Sequence, residues 1–381
     1  MDMNGKAKGR TKRESNLELL RIIAMILIIA HHYVANSGLI NADGPINSNP
    51  VSLHSLFLLI WGAWGKVATN CFVLFSGYFM CRKNITLKKF IRLLCEILFY
   101  RITITSIFWL TGYEKFTLTE LINVLCPVVH LGTDFSSAYL VFFLFIPFLN
   151  ILIHHINEKQ HVYLLLLLSF SYIVLGTLKP LFSVTFNYCS WFMVLYLISS
   201  YIQLYPKRIF DNKKIWSGAC LGSIIISSLS IIICAWIGTK INRVFYYGFV
   251  VDCNTALAVI TGLSAFMFFK NIDIPQSSLI NTVAGSTFGV LLIHANSEIM
   301  RKWLWKDMLN NVAQYDKPTV YLHAVCSVAV IFIVCTVIDI LRIKLIETPF
   351  MKKIDEPLNI LTARYKSIEK KVFHKMDIKA E

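Results

Sequence analysis

Residues 20–33 read LRIIAMILIIAHHY, an apolar run with Arg21 at its start and two histidines, His31 and His32, at its end. A helix needs about twenty mainly apolar residues to cross the hydrocarbon core of a bilayer. Because the run is continuous and does not alternate between apolar and polar residues, it favours a transmembrane helix over a barrel strand. It therefore predicts a membrane-spanning first helix.

Further stretches of the same kind follow along the chain, so the sequence predicts an all-α, polytopic membrane bundle of about ten transmembrane helices. The second stretch is long enough to be kinked, and the fourth is short enough to begin inside the preceding loop. The predicted spans are residues 17–35, 54–81, 90–111, 138–153, 162–178, 188–204, 215–238, 246–269, 279–297 and 321–343.

The composition argues against other classes of protein. Of the 381 residues, 56% are hydrophobic and 15% are charged, whereas a soluble domain carries roughly a quarter charged residues. The net charge is +15, but the Lys and Arg residues lie between the apolar runs and form no basic stripe, so we predict no nucleic-acid partner. The ten cysteines include no CxxC pair and no HExxH pattern occurs, so we predict no metal site.

The distribution of Lys and Arg predicts the orientation. With the N-terminus in the cytoplasm, the cytoplasmic segments hold 26 of the 37 Lys and Arg, and the opposite loops hold 8. Short cytoplasmic segments retain positive charge, so both termini are predicted to be cytoplasmic. We predict a basic N-terminal segment over residues 1–16, a transmembrane domain over 17–346 and a basic tail over 347–381.

Ionisable residues inside membrane spans are costly and are candidates for function. Arg21 and His32 are eleven residues apart, which places them on one face of the helix, separated by a rise of about 16.5 Å. His31 lies about 100° round from His32 and does not share that face. Without a function, Arg21 would snorkel to one membrane surface and His32 would be hydrated at the other.

An Arg, ten residues and a His on the first helix resemble the signature of the acyltransferase-3 family, membrane enzymes that modify surface glycans and other small acceptors. Three further segments resemble the family: GKVATNCFVLFSGYFM (65–80), WFMVLYLISSYIQLYP (191–206) and TFGVLLIH (287–294). The resemblance implies an acyl-CoA donor, acetyl-CoA in particular, and a glycan or lipid-linked glycan acceptor. It also implies the plasma membrane of a bacterium. Many members carry Trp before the fourth helix, where this chain has Ala138 and Tyr139.

The predicted topology places a donor site near the cytoplasmic face. The second span ends there, Arg21 lies at the same level, and three cations begin the third span. Arg binds phosphate bidentately and Lys binds it as a point charge, so this cluster suits coenzyme A, although Lys88 and Lys89 also fit the ordinary cytoplasmic excess of positive charge. The predicted donor-binding residues are Arg21, Ser76, Gly77, Tyr78, Lys88, Lys89 and Arg92.

His294 ends the ninth predicted span at about the depth of His32. A neutral imidazole removes the proton of an attacking hydroxyl or accepts the acyl group itself, so we predict His32 as general base or acyl relay, with His294 in support. The predicted catalytic residues are therefore His32, His294 and Arg21. The remaining polar residues of the second and third spans are expected to pair across helices, for example Glu96 with Lys66.

These features predict an integral membrane O-acyltransferase that transfers an acyl group, acetyl in particular, to a hydroxyl of a cell-surface or exported polysaccharide. A peptidoglycan sugar, a lipid or a peptide is an alternative acceptor. Two other functions remain open: a transporter or flippase for a saccharide or small solute, and a non-catalytic sensor or scaffold. The oligomeric state is not indicated by the sequence.

Overall fold

A computed structural model describes residues 14–83, 85–132, 134–178 and 187–377, with side chains up to residue 363. Throughout these residues the regular structure is helical and no β-strand occurs. Most of the predicted basic segment 1–16 and the last residues of the tail lie outside the described residues. The α-helices are α1 (Ser15–Ala35), α2 (Pro45–Ser48), α3 (Leu53–Gly62), α4 (Gly65–Met80), α5 (Leu87–Leu110), α6 (Leu118–Leu125), α7 (Phe135–His155), α8 (Glu158–Leu168), α9 (Leu175–Thr177), α10 (Tyr188–Leu204), α11 (Lys213–Lys240), α12 (Ala256–Lys270), α13 (Ser278–Gly285), α14 (Thr287–His294), α15 (Glu298–Lys302), α16 (Asn311–Gln314), α17 (Val320–Arg342) and α18 (Thr348–Asp377).

Seven helical stretches in the described part of the chain are long and apolar enough to cross a membrane, or eight if one bent pair forms a single span. The bent pair comprises Ser278–His294 and Glu298–Gln314, and two shorter apolar helices are Tyr188–Leu204 and Ala256–Lys270. By helix length and composition, the chain is a multi-pass membrane protein.

The lengths of two predicted spans have a structural explanation. The overlong second span is divided into α3 and α4 by a break at residues 63–64. The short fourth span begins earlier than its apolar run, at Phe135, because the side chain of Asp134 caps α7 by accepting a hydrogen bond from the Ser137 amide. The predicted start of the eighth span at residue 246 is wrong, since turns occupy the chain up to the start of α12 at Ala256.

The first helix lies at the centre of the bundle. It packs against α3, α4, α12, α13, α14 and α17, and α4 packs in turn against α10 and α12. Leu17, Ala24 and Ile28 recur at helical spacing and are buried in these contacts. Polar side chains on α1 are thereby held inside protein and away from lipid.

The buried charges pair differently from the sequence expectation. The predicted pair of Glu96 with Lys66 is wrong, because Glu96 accepts a hydrogen bond of 2.9 Å from Arg342 on α17. Arg342 also donates to Asp339 at 2.8 Å and to Glu347 at 2.7 Å. The Arg342 guanidinium thus pairs with three carboxylates, one on α5, one on α17 and one in the segment after α17. These pairs neutralise charges that lipid would not solvate.

Three interruptions of helix meet at the C-terminal end of α1. They are the break between α3 and α4, the start of α7 and the 91° turn between α14 and α15. Irregular backbone at membrane depth is tolerated where it lines a cavity, because the freed polar groups find partners there. The fold therefore assembles polar backbone and side chains around the end of α1 that carries His32.

Candidate active site

His32 and His294 form a hydrogen-bonded pair where α1 and α14 end. The Nδ1 atom of His32 lies 3.1 Å from the Nε2 atom of His294, and the ring centroids are 5.1 Å apart. His294 is fully buried, and its Nδ1 atom lies 2.6 Å from the Val290 carbonyl one turn earlier in α14. The structure brings together two histidines that are 262 residues apart in the sequence.

These contacts determine where the protons of the neutral rings lie. The Val290 carbonyl only accepts hydrogen bonds, so Nδ1 of His294 carries the proton and Nε2 of His294 is an acceptor. His32 must then donate from its own Nδ1, which leaves a lone pair on Nε2 of His32. His294 therefore orients His32 and leaves its Nε2 atom free to act as a base or a nucleophile.

His31 lies beside this pair on a different face of α1. Its Nδ1 atom contacts the Gly62 carbonyl at 2.6 Å, at the break between α3 and α4. Gly65 approaches the same ring so closely that an added Cβ atom would lie 2.4 Å from the His31 Cβ and Cγ atoms. The tight approach of Gly65 therefore holds His31 against the broken helix.

A cavity of about 220 Å³ opens beside the three histidines, and we call it the histidine cavity. It contains three cationic side chains, Lys66, Arg101 and Arg301, and two amide side chains, Asn296 in the α14–α15 turn and Asn36 at the end of α1. It is lined by Ile28, His31, His32, Asn36, Gly65, Lys66, Thr69, Arg101, Asp134, Phe135, Ser136, Tyr188, Leu291, Leu292, Ala295, Asn296 and Arg301.

Arg101 and Asp134 form a buried ion pair on the wall of the histidine cavity. Arg101 donates to Asp134 at 2.9 Å and to the Ser137 hydroxyl at 3.0 Å. Burial alone would raise the pKa of the Asp134 carboxyl, but hydrogen bonds from Ser136 and Ser137 and the charge of Arg101 hold it below its ordinary value. The pair is therefore ionised at neutral pH.

A second cavity, of about 410 Å³, adjoins the histidine cavity, and we call it the adjoining cavity. Arg101, Asp134, Asn296 and Arg301 line both cavities. The remaining wall is mainly polar and comprises Thr105, Glu120, Asn123, Val124, His130, Ser297, Glu298 and Ile299. Together the two cavities present many hydrogen-bonding groups beside His32, the candidate base or nucleophile.

Arg21 lies in a third cavity, of about 310 Å³, which we call the Arg21 cavity. Arg21 donates to Glu18 at 2.9 Å and to the Thr287 hydroxyl at 3.2 Å, and its guanidinium lies 4.9 Å from the centre of the Phe75 ring. Lys89 and Arg92 line the same cavity, and Phe72, Phe79 and Phe288 add apolar wall. A cationic cavity with aromatic walls suits a ligand with an anionic end and an apolar arm.

The histidine and Arg21 cavities share one wall residue, Phe135 at the start of α7. Its ring is stacked on Tyr139 at 5.8 Å and lies 5.1 Å from the ring of Phe192. The two ends of the α1 face predicted from the Arg21 to His32 spacing therefore open into cavities divided by an aromatic side chain.

A family model described as an acyltransferase domain matches residues 14–340, which cover most of the helices described above. The chain belongs to the acyltransferase 3 family. Membership implies acyltransferase activity and an acyl donor, and the resemblance seen in the sequence is confirmed. Comparison with curated proteins and with solved structures finds no match.

In this acyltransferase 3 protein, the predicted donor residues do not all face one space. Arg21, Ser76, Lys89 and Arg92 line the Arg21 cavity, but Gly77, Tyr78 and Lys88 do not. An added Cβ atom on Gly77 would lie 2.1 Å from the Ser199 hydroxyl, so this glycine allows α4 and α10 to pack closely. Tyr78 packs on the Phe266 ring at 5.5 Å, and Lys88 pairs with Asp355 of α18.

One arginine and one tyrosine of the Arg21 cavity have contacts that the sequence did not indicate. Arg92 pairs with Glu347 at 2.5 Å while lining the Arg21 cavity. Tyr139, at the position where many relatives were expected to carry Trp, shares a hydrogen bond of 2.9 Å with Ser76 and lines the same cavity. The departure from the expected Trp thus lies in the wall of this cavity.

Sequence reasoning missed the two arginines that line both the histidine and the adjoining cavities. Arg101 was one of the polar residues of the third span that were expected to pair across helices, and it does so with Asp134. The order Asp134, Ser136, Ser137 before an apolar run is typical of a helix N-terminus with a carboxylate cap. Arg301 had no sequence signal, because its position depends on the 91° turn after α14. Asn36 also had no sequence signal. It is the residue that follows the last turn of α1, and only the packing of the helices shows that it lines the histidine cavity.

Proposed function

We propose that this protein is an integral membrane O-acyltransferase of ten spans with both termini in the cytoplasm. It takes an acyl group, acetyl in particular, from acyl-CoA and delivers it to a hydroxyl of an exported or cell-surface polysaccharide. The observation that carries the proposal is the His32–His294 pair, in which His32 lines a polar cavity and keeps a free Nε2 atom, in a chain of the acyltransferase 3 family. The count of ten is reached if the bent pair and each of the two shorter apolar helices cross the membrane once in addition to the seven longer helical stretches.

The Arg21 cavity is the proposed donor site. Lys89 and Arg92 supply positive charge for the phosphates of coenzyme A, and the phenylalanine wall suits the pantetheine arm and acyl group. Arg21 lies about 16.5 Å along α1 from His32, so the thioester end must extend past Phe135 toward the histidine cavity. The donor thereby enters from the cytoplasmic side and the acceptor from the other side.

The proposed chemistry uses Nε2 of His32. As base, this atom takes the acceptor hydroxyl proton while the hydroxyl oxygen bonds to the thioester carbon; the carbon–sulfur bond then breaks and the thiolate of CoA takes the proton. As relay, the same atom bonds to the acyl carbon while the carbon–sulfur bond breaks and the thiolate of CoA leaves; the acceptor hydroxyl oxygen then bonds to the acyl carbon, the bond to Nε2 breaks, and the hydroxyl proton passes to the thiolate. In both sequences His294 accepts the Nδ1 hydrogen bond and keeps the ring oriented.

The function is tested by O-acetyl analysis of released polysaccharide from cells with and without the protein, together with release of CoA thiol by the purified protein in nanodiscs. We expect O-acetyl groups in the polysaccharide only when the protein is present, and CoA release that depends on a saccharide acceptor. Polysaccharide export that depends on the protein without any consumption of acyl-CoA would instead establish a transporter.

His294→Ala is expected to lower the turnover number by about 10–100-fold, because the His32 ring loses the acceptor that orients it. His294→Gln should recover part of the loss, since its amide oxygen accepts the same hydrogen bond. Turnover of the two variants is compared at matched protein concentration in nanodiscs. Equal losses in both variants would show that hydrogen bonding by residue 294 is not what matters.

Phe135→Ala is expected to change the choice of acyl chain. Removing the ring opens the wall between the Arg21 and histidine cavities, so butyryl-CoA should gain about tenfold in kcat/KM relative to acetyl-CoA. Val141→Ala on the same helix does not line either cavity and serves as the control. An unchanged ratio of the two donors in Phe135→Ala would remove Phe135 from the acyl path.

A further inference from the structure

Arg301 lies where the histidine cavity meets the adjoining cavity. It is on α15, the short helix that follows the 91° turn after His294, and it is partly buried. It lines both cavities, as do Asn296 and the Arg101–Asp134 pair. The bend in the chain therefore presents a guanidinium beside the histidine pair.

The other two cations of the histidine cavity already have partners. Arg101 is paired with Asp134, and Lys66 lies 3.0 Å from the Tyr188 hydroxyl. Among the described residues, none lies within hydrogen-bond or ion-pair distance of the Arg301 guanidinium. Glu120 and Glu298 line the adjoining cavity, but neither forms an ion pair with Arg301. Five N–H donors of a fixed planar fork are thus left for a ligand.

A guanidinium with these properties favours an oxyanion. Holding an arginine partly buried in a membrane protein is costly unless a carboxylate or phosphate completes it, and Arg binds both bidentately. The one carboxylate of the histidine cavity, Asp134, is occupied by Arg101, Ser136 and Ser137. The Asn36 Nδ2 atom is buried without a hydrogen-bond partner in the described structure, which adds a second donor on the cavity wall.

The adjoining cavity extends this site in a way that suits a saccharide. Its carboxylate, amide and hydroxyl groups, on Glu120, Asn123, Ser297 and Glu298, are partners for sugar hydroxyls. The adjoining cavity has a volume of about 410 Å³ and shares Arg301 with the smaller histidine cavity. A saccharide that presents one hydroxyl to His32 therefore extends past Arg301 into the adjoining cavity.

We propose that the acceptor is an acidic saccharide and that Arg301 binds its carboxylate or phosphate next to the hydroxyl that is acylated. This inference rests on the proposed acyl transfer to a saccharide and names the class of that saccharide. Arg301 is a specificity residue in this scheme: it selects and orients the acceptor while His32 reacts with the hydroxyl.

Binding is measured separately from transfer, by saturation-transfer NMR on the protein in nanodiscs. The probes are methyl β-glucuronide for the carboxylate, glucose 1-phosphate for the phosphate, and methyl β-glucoside as the neutral sugar. We expect one of the acidic probes to bind about tenfold more tightly than the glucoside, as a charge-assisted bidentate contact allows. The probe that shows the preference identifies the anion.

Arg301→Gln should reduce this preference to within about twofold, and Arg301→Lys should retain part of it, because a point charge attracts the anion without the planar fork. Lys302→Gln is the matched control: its ammonium lies 5.7 Å from the centre of the Tyr113 ring and it lines neither cavity. This variant should keep the wild-type preference.

Three results would overturn the proposal. They are equal binding of acidic and neutral probes, no binding of an acidic probe, and an equal fall of kcat for acidic and neutral acceptors in Arg301→Gln. The last result would show that Arg301 stabilises charge on the reacting carbonyl instead. Because the probes bind without being acylated, a failure of this proposal is distinct from a failure of acyl transfer, which appears as absent CoA release.

Discussion

We expect His32→Ala to lower acceptor-dependent release of CoA by about 1000-fold. The Nε2 atom of His32 is the one ring nitrogen of the His32–His294 pair whose lone pair is not used in the hydrogen bond between the rings, so its removal abolishes the step in which the acceptor proton or the acyl group moves. CoA thiol is measured with purified protein in nanodiscs, at equal protein concentration and saturating donor. In cells the same variant should lack O-acetyl groups on its polysaccharide while export continues.

The control for His32→Ala is His161→Ala. His161 is a fully buried histidine, bonded to the Leu197 carbonyl at 3.1 Å, but it lies on α8 and lines none of the three cavities. Its replacement leaves a comparable gap in the protein without touching the proposed chemistry. His32→Ala retaining more than a tenth of wild-type turnover would contradict the proposed role of this residue.

A single-turnover experiment separates the two roles of His32. Incubation with labelled acetyl-CoA in the absence of acceptor leaves an acetyl group on His32 if this residue is a relay, and CoA is released at the same time. If His32 is a general base, CoA release and label transfer both wait for the acceptor. Peptide mass spectrometry of the rapidly quenched protein distinguishes these results.

The fold was predictable to the extent that it depends on local sequence. Continuous apolar runs indicated the long helices, because lipid offers no partner to the backbone and each run must satisfy its own hydrogen bonds. Breaks inside those runs were less visible. The kink at residues 63–64 was suggested only by length, and the late start of α12 at Ala256 depends on turns that the preceding apolar residues conceal.

The site was predictable along one helix and unpredictable across helices. Helical periodicity alone placed Arg21 and His32 on one face, and the order of spans put His294 near the depth of His32. The 3.1 Å contact of the histidines depends on how α14 packs against α1. The partners of Glu96 and Lys66 were wrongly predicted for the same reason, since a buried charge takes whichever partner the packing brings close.

Arg21→Ala is expected to raise the KM for acetyl-CoA by about 100-fold, an effect second in size to that of His32→Ala. Arg21 is the cation of the Arg21 cavity that lies on α1, and a guanidinium bound to both Glu18 and Thr287 is already oriented for a phosphate or carbonyl oxygen. Truncating a partly buried, hydrogen-bonded cation that binds an anionic ligand costs a few kcal/mol of binding. Steady-state kinetics with varied acetyl-CoA measure the change. The KM of Arg21→Lys should lie between those of the wild type and Arg21→Ala.

Loss of Arg21 also affects folding, because the Glu18 carboxylate is only 5% exposed and loses a partner. The double variant Arg21→Ala with Glu18→Gln removes both charges and should restore the melting temperature and membrane abundance while the KM stays high. If the double variant instead recovers the wild-type KM, Arg21 acts by neutralising Glu18 and not by binding the donor. The abundance and the KM thus separate a structural ion pair from a donor site built on the same arginine.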